Sequence, residues 1–290
     1  MNSQSDSPPV EGKDRGILLS IIVPVFNEEE ILPCMADGII AHMKGVLPPD
    51  QWEFVFCDNG SRDASRKVIG EIAKRHVNCQ CRELPKSDFG AAISDGMLHA
   101  RGRWAWVINV DWWDIPMLEW AWQARESYDM IIGSKRADPT LNQQNRYRRT
   151  LSWGLNAVLQ FAFGFVGSDT HGQKLLDLNS MREIISACQM TRGQFDTELT
   201  LRALRQGLWL AEVPIPVREV RKSRNLMIRK ITQNIYDIIR LKFVMLDVPS
   251  MGVCRYHRWS REDVLNKNVI LQRSKNTPEQ NETSANDQAI

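Results

Sequence analysis

Four acidic residues, Glu28, Asp58, Asp63 and Asp111, stand just after three apolar, β-rich runs: IIVPVFNEEE, FVFCDNGSRD and WAWVINVDWWD. In an open α/β sheet, ligands bind beyond the carboxyl ends of the strands, so these endings are expected to converge on one site. Carboxylates gathered there suit a hard divalent cation carrying a phosphorylated ligand, or hydroxyl groups that donate hydrogen bonds. A nucleotide sugar combines both chemistries.

The elements that must position these residues follow a βα alternation. A strand from Ile17 or Leu18 to Val25 precedes a helix over Glu28 to Lys44, which the Pro48-Pro49 pair breaks. A strand over Glu53 to Cys57, a turn at Asn59-Gly60 and a helix from Asp63 to Arg75 come next. Helices over Gly90 to Ala100 and Pro116 to Arg125 then alternate with strands over Trp104 to Asn109 and Met130 to Ser134, the pattern of a mostly parallel sheet. The expected organisation is a lead at 1–16, one α/β domain over 17–222, an amphipathic helical segment at 223–260 that lies at a membrane interface, and a disordered polar tail at 261–290.

Bulk properties narrow the class. A chain of 290 residues with 43% hydrophobic content can bury one substantial core. A formal charge of +2 gives no concentrated basic surface for a phosphate backbone, so no nucleic-acid partner is expected. The cysteines, Cys34, Cys57, Cys79, Cys81, Cys188 and Cys254, show no CxxC spacing, which argues against zinc and against a disulfide framework. The first sixteen residues carry no basic segment followed by an apolar run, so no secretory signal is read there and the expected compartment is cytoplasmic.

Seven blocks in order carry a resemblance: IIVPVFNEEE, FVFCDNGSRDAS, GAAISDGMLHARGRW, NVD, DMIIGSKRA, SDTHGQKLLD and FDTELTLRALRQGLWLAEVPIPVREV. Over about residues 17 to 245 the chain resembles a family 2 glycosyltransferase of the GT-A (nucleotide-diphospho-sugar transferase) fold, an α/β fold with a mostly parallel central sheet flanked by helices. The later blocks are most similar to dolichyl- and polyprenyl-phosphate sugar synthases.

The resemblance implies roles for individual residues. Pro24, Phe26, Asn27 and Glu28 match the segment that holds the nucleoside, with Phe26 in place of the usual tyrosine, and Asp58 stands where an aspartate meets the base or ribose. Asp63 is either part of that pocket or a helix cap. Asn109-Val110-Asp111 occupies the Asp-x-Asp position that fixes Mg²⁺ or Mn²⁺ against the diphosphate, so Asp111 and Asn109 are the metal candidates, with Asn109 bringing oxygen but no charge. Asp114 either compensates for that lost charge or caps the next helix, and Trp113 replaces a glutamine ligand of some relatives. Where relatives read Gly-x-Gly-Ala-Ala, this chain has Lys86-Ser87-Asp88-Phe89-Gly90-Ala91-Ala92; Gly90 is retained for a helix start near the donor, whereas Asp88 would repel a diphosphate that Lys86 attracts.

Basic residues recur where an anionic acceptor would need them: Lys135 and Arg136, then Arg146, Arg148 and Arg149, then Arg221, Lys222 and Arg224. Guanidinium groups bind phosphate bidentately and stay charged. The uncharged stretch TLSWGLNAVLQFAFGFVGS approaches the ~20 residues of a bilayer span, but Ser152, Asn156, Gln160 and Gly164 fall on one helical face. Together with NLMIRKITQNIYDIIRLKFVML, where Ile228, Ile231, Ile235 and Ile238 share a face, it reads either as core-facing helix or as interfacial helix on the cytosolic face of a membrane. Trp112 and Trp113 are candidates to line a sugar or isoprenoid path, while Trp104 and Trp106 read as sheet packing. His171, in DTHGQK, falls in the acceptor-side loop of the relatives.

Asp196 and Glu198, in Phe195-Asp196-Thr197-Glu198, stand where hydroxyl-glycosylating relatives keep a general base. An alcohol must lose a proton as it attacks, whereas a phosphate needs no base. The expected activity is inverting, metal-assisted transfer from a UDP- or GDP-sugar to a membrane polyprenyl phosphate, with Asp111 and Asp196 as the catalytic candidates. Two alternatives stand beside it: transfer to a hydroxyl with Asp196 as base, and a non-catalytic nucleotide-sugar binder, which Asn109 and Asp88 motivate.

Overall fold

The computed structural model describes residues 16–76, 78–85, 87–141, 146–216 and 227–266. β1 (Leu19–Val25) is buried along its whole length because its apolar residues face helices on both sides. It pairs in parallel with β2 (Trp52–Asp58) and β4 (Trp104–Val107), and β2 pairs with β3 (Cys79–Glu83). β5 (Met130–Ser134), β6 (Lys174–Asp177), β7 (Trp209–Pro214) and β8 (Arg255–Arg258) complete an eight-stranded sheet of order β3-β2-β1-β4-β6-β5-β7-β8. β6 alone runs against its neighbours, antiparallel to both β4 and β5. The mostly parallel sheet expected from the sequence is therefore present, with one reversed strand inserted between its two halves.

Two apolar layers cover the sheet. Leu19, Ile21, Val23 and Val25 meet Leu32, Met35, Ile39 and Met43 of α1 (Leu32–Met43), together with Met117 and Leu118 of α4 (Ile115–Ala124). On the other face Ile22, Val55 and Cys57 meet Ala92, Ile93 and Met97 of α3 (Phe89–His99), near α6 (Leu178–Ala187) and α7 (Phe195–Arg205). α2 (Ser65–Arg75) packs beside α1, while α5 (Arg146–Phe163) and α8 (Met227–Leu246) lie on the second face. Trp104 and Trp106 are buried in the first layer, as sheet packing requires.

Three boundaries differ from expectation. The helix after β1 begins at Leu32 rather than Glu28: residues 28–31 form a turn in which the Ile31 and Leu32 amides donate to the Glu28 carbonyl, while the amides of Glu28 and Glu29 donate to Ser65 Oγ (2.8 Å) and Asp63 Oδ2 (3.2 Å). Within the stretch read as helical to residue 260, Arg255–Arg258 forms the edge strand β8, held by the Tyr256 hydroxyl donating to Glu212 (2.9 Å). Where a disordered tail was expected to begin, Arg261–Asn266 forms α9. Trp259 and Val264 anchor it: both are buried, the Trp259 ring meets Trp120 edge-on at 5.2 Å, and its indole N–H donates to the Tyr128 hydroxyl.

Candidate active site

The loops after β1 and β2 are meshed by side chains that satisfy each other's backbone. Asn27, held at φ 56°, accepts from the Arg62 amide (2.8 Å) while its own amide donates to Ser61 Oγ. Glu29 accepts from the Ala64 amide, and Asp63 accepts from the Ser65 and Glu29 amides. Asp63 is thus a loop clamp, closer to the capping alternative than to a ligand contact. Pro24 is buried in β1, and the Phe26 ring stands 44% exposed at the loop mouth. Asp58 is buried: Oδ2 accepts from Arg66 Nε at 2.6 Å and Oδ1 from the Ser61 amide. Arg66 extends from there to Glu83, so the half-exposed guanidinium, a residue not singled out from the sequence, covers the Asp58 carboxylate.

Beyond β4 the chain makes a tight turn in which the Trp112 amide donates back to the Asn109 carbonyl (3.3 Å). Asp111 is exposed on this turn, and neither its carboxylate nor the Asn109 amide group has a partner among the described residues. Asp114 is different. It caps α4 by accepting from the Met117 amide (2.8 Å) and is paired with Arg261, so it supplies no compensating ligand. Trp113 packs over Gly38 of α1 and the Trp112 indole donates to the Pro216 carbonyl, which places both rings in packing.

An all-oxygen pair, one carboxylate and one amide, fits a hard cation. Among the described residues no cluster of three metal-binding side chains exists, so such an ion would draw its remaining ligands from a bound nucleotide and water.

At the start of α3, Asp88 accepts from the Ala91 amide as N-cap and also from the Arg192 amide (2.7 Å). The helix end that could have faced a donor phosphate is therefore capped from within the protein. Gly90 has a packing reason as well: a Cβ there would lie 2.5 Å from Phe195 Cβ and 2.7 Å from the Arg192 carbonyl oxygen. The glycine lets α3 touch the approach to α7. Lys86 lies outside the described residues.

The region where the sequence places acceptor contacts is assembled from β5, β6 and α7. Ser134 Oγ accepts from the Arg136 and Ala137 amides, shaping the turn that presents Lys135 and Arg136. The Arg136 side chain forms no ion pair or hydrogen bond among the described residues, and burial lowers its pKa against the pull of Asp169 and Glu212. The loop 168–173 is held at one end by Glu212, which accepts from the Ser168 amide and hydroxyl. At the other end it presses on β5: a Cβ on Gly172 would fall 1.6 Å from the Gly133 carbonyl oxygen.

Inside this loop Asp169 is 2% exposed, and its Oδ2 has no hydrogen-bond donor although Lys135 Nζ lies 4.0 Å away. Burial opposes its charge, yet Lys135, His171, the His171 amide and Arg136 together hold it below the usual carboxylate range. Burial in turn keeps His171 below its ordinary pKa despite Asp196 and Asp169. With Nε2 2.7 Å from the Gly193 carbonyl oxygen, that nitrogen carries the proton of the neutral ring.

Asp196, in the first turn of α7, is 5% exposed and paired with Lys174 Nζ at 2.9 Å. Lys174 is itself 2% exposed and donates its hydrogen bond to the Gly172 carbonyl, so its contact with Asp196 Oδ1, which has no hydrogen-bond donor, is an ion pair by proximity. Glu198 is fully buried, accepting from the Gln189 and Met190 amides and from Arg202. Lys174 and Asp169 were not selected from the sequence. Their only trace was a lysine opening the apolar run KLLD and an aspartate shortly before it. Arg146, Arg148 and Arg149 fall in the first turn of α5, where the side chains lie outside the described residues, as do Arg221, Lys222 and Arg224 altogether.

A cation held by one carboxylate should bind weakly by itself and more tightly with a nucleoside diphosphate. Asn109→Asp is expected to tighten apparent Mn²⁺ affinity at fixed UDP by at least roughly tenfold, since a full charge is added within a few ångströms. Asp111→Asn is expected to remove Mn²⁺ binding and turnover while circular dichroism stays native. Unchanged Mn²⁺ titrations in both variants would remove the ion from this turn.

Comparison with known proteins identifies the family. The model of glycosyl transferase family 2 matches residues 20–183. A dolichyl-phosphate beta-glucosyltransferase of Trichomonas vaginalis is 28% identical over 72% of this chain and 68% of its own length. Another from Dictyostelium discoideum is 26% identical over 78% and 74%. An undecaprenyl-phosphate 4-deoxy-4-formamido-L-arabinose transferase of Photorhabdus laumondii is 28% identical over 50% of this chain and 44% of its own. Among solved structures, the glucosyl-3-phosphoglycerate synthase of Mycobacterium tuberculosis, crystallised with Mn²⁺ and UDP, superposes with a TM-score of 0.52 at 18% identity over 82% of both chains, a likeness of fold. With that family model spanning more than half of its length, this chain belongs to glycosyltransferase family 2.

Proposed function

We propose that this glycosyltransferase moves a sugar from a nucleoside-diphosphate sugar to a polyprenyl phosphate, with inversion at C1. The observation that carries the choice of acceptor is the state of Asp196. A base for a hydroxyl acceptor must reach the proton it removes. Asp196 is nearly excluded from solvent and sits 2.9 Å from a buried ammonium. Glu198 accepts two amides and an arginine, and His171 gives its Nε2 proton to a carbonyl. Acidic groups so engaged suit an acceptor that arrives already ionised, and a phosphate monoester, with its second pKa near about 6, does so. Arg136 and Lys135, by contrast, retain donors for an anion.

In this reading a phosphate oxygen of the acceptor forms the new bond to C1 as the bond from C1 to the diphosphate oxygen breaks. The electron pair leaves with the nucleoside diphosphate, and no proton need be transferred. A divalent cation, Mg²⁺ or Mn²⁺, held by Asp111 with Asn109 as a neutral donor would supply charge neutralisation for the departing diphosphate. Pro24, Phe26, Glu28 and Asp58 line or support the nucleoside end, Asp58 through Arg66. Asp196 acts as a positioning residue through Lys174. The dolichyl- and undecaprenyl-phosphate specificities of the similar enzymes support this acceptor class.

A lipid acceptor calls for a membrane-facing surface. No helix among the described residues is long and apolar enough to cross a bilayer. α8 instead has two apolar faces: Leu241 and Met245 are buried, while Tyr236, Ile239, Phe243 and Leu246 are 64%, 54%, 65% and 66% exposed at spacings of three and four residues. On α5, Asn156 of the polar stripe turns inward to the Gly167 carbonyl, and Phe161 is left 96% exposed. Lys242 ties the two helices by donating to the Ala162 carbonyl (2.5 Å). Such a surface fits peripheral attachment to the cytosolic face of a membrane, with basic residues meeting anionic headgroups.

Two measurements test the proposal. Replacing the buried pair together, Lys174→Met with Asp196→Asn, avoids stranding one charge. The double variant should keep turnover with polyprenyl phosphate within about tenfold, whereas loss of a true base would cost roughly 10²- to 10⁴-fold. Phe243→Ser with Leu246→Ser should reduce co-sedimentation with anionic vesicles; full retention on vesicles would remove α8 from the membrane contact.

A further inference from the structure

The last described segment lies well outside residues 20–183, yet it returns to the cation turn. Arg261, the first residue of α9, forks onto Asp114: Nη1 donates to Oδ1 at 3.1 Å and Nη2 to Oδ2 at 3.3 Å. Nη1 also donates to the Pro214 carbonyl at the end of β7 (3.3 Å). The two side chains are only 15% and 9% exposed. Asp114 already caps α4, and its amide donates to Gln173 Oε1 of the acceptor loop (3.2 Å). The Asp114–Arg261 pair therefore joins α4, α9, β7 and the loop that leads into Lys174: the carboxylate reaches α4 and α9, the Asp114 amide reaches the loop, and the guanidinium reaches β7.

Asp114 is separated from Asp111 only by Trp112 and Trp113, and both of those are fixed. The Trp112 amide closes the turn on Asn109 and its indole holds the Pro216 carbonyl, while Trp113 lies against α1 at Gly38. The position of the Asp111 carboxylate is thus set from its far end by what holds Asp114. A planar, bidentate guanidinium fixes direction as well as distance, which an ammonium does not.

We propose that Arg261 is a positioning residue for the cation turn, so that the C-terminal strand and helix are part of the catalytic unit. This rests on the assignment of the divalent cation to Asp111. Groups that orient a metal ligand typically change metal affinity by ten- to a hundredfold when lost. Full-length Arg261→Ala, Arg261→Lys, Asp114→Asn and Asp111→Asn are compared by the electron paramagnetic resonance signal of free Mn²⁺ titrated at fixed UDP, and by separate kcat and KM values for the donor.

Arg261→Ala is expected to weaken Mn²⁺ about tenfold and to lower kcat similarly with little change in donor KM. Arg261→Lys should lose less, and Arg261→Ala combined with Asp114→Asn should be no worse than either alone. Wild-type Mn²⁺ affinity and kcat in folded Arg261→Ala would overturn the proposal. If Arg261→Ala does not fold, wild-type Mn²⁺ affinity in Arg261→Lys would overturn it equally, assigning the arginine to stability. Asp111→Asn separates the two failures: if it too binds Mn²⁺ normally, the cation assignment is what has failed.

Discussion

Lys174 and Asp196 meet at 2.9 Å with side chains 2% and 6% exposed, and the loop 168–173, β6 and α7 are arranged around them. Two charges this far from water persist only as a pair, because removing one partner from such a pair costs about 3–5 kcal/mol. The pair fixes the first turn of α7 against the start of β6. β6 is the reversed strand, bonded on one side to β4, which carries the cation turn, and on the other to β5, which carries Lys135 and Arg136. The two halves of the sheet, and the turns that β4 and β5 carry, are thereby held in one register through a single short strand.

Around that strand almost every acidic group already has structural work. Asp58 holds Arg66, Asp63 and Glu29 knit the first two loops, Asp88 caps α3, Asp114 caps α4 and grips Arg261, and Glu198 and Glu212 clamp the loops beside α7 and β6. Asp111 is the exception, an exposed carboxylate at a strand end without a partner among the described residues. Carboxylates that accept backbone amides are stabilised where they stand and lose the freedom to serve as bases. In the function proposed above, chemistry at the site falls to Asp111, unpartnered among the described residues, and to Lys135 and Arg136.

The sequence made local features legible. The βα alternation, the turn at Asn59-Gly60, the buried character of Trp104 and Trp106 and the possible capping role of Asp114 follow from period, composition and turn chemistry over a few residues, while the basic pair after β5 follows from the family resemblance. What escaped depends on contacts between distant positions. β6 is four residues long and antiparallel, and nothing within KLLD marks its direction. The Lys174 and Asp196 partnership joins residues far apart in sequence, and Arg261 looked like the first charge of a polar tail because its partner Asp114 is 147 positions away. From the sequence Gly90 marks a helix start near the donor; in the structure it lies at the start of α3, and Phe195 and Arg192 occupy the space its missing side chain leaves.

The most direct measurement is transfer of labelled sugar by the full-length protein, with Mn²⁺ and a panel of UDP- and GDP-sugars, offered polyprenyl phosphate or the corresponding polyprenol. Label entering the organic phase with the phosphate and not with the alcohol is the expected result. It would match a site whose acids are engaged and whose Arg136 has no ion pair or hydrogen bond among the described residues. Label carried onto the alcohol or onto a water-soluble glycan, with none on polyprenyl phosphate, would contradict it and require a working base that the Lys174 pairing of Asp196 does not provide.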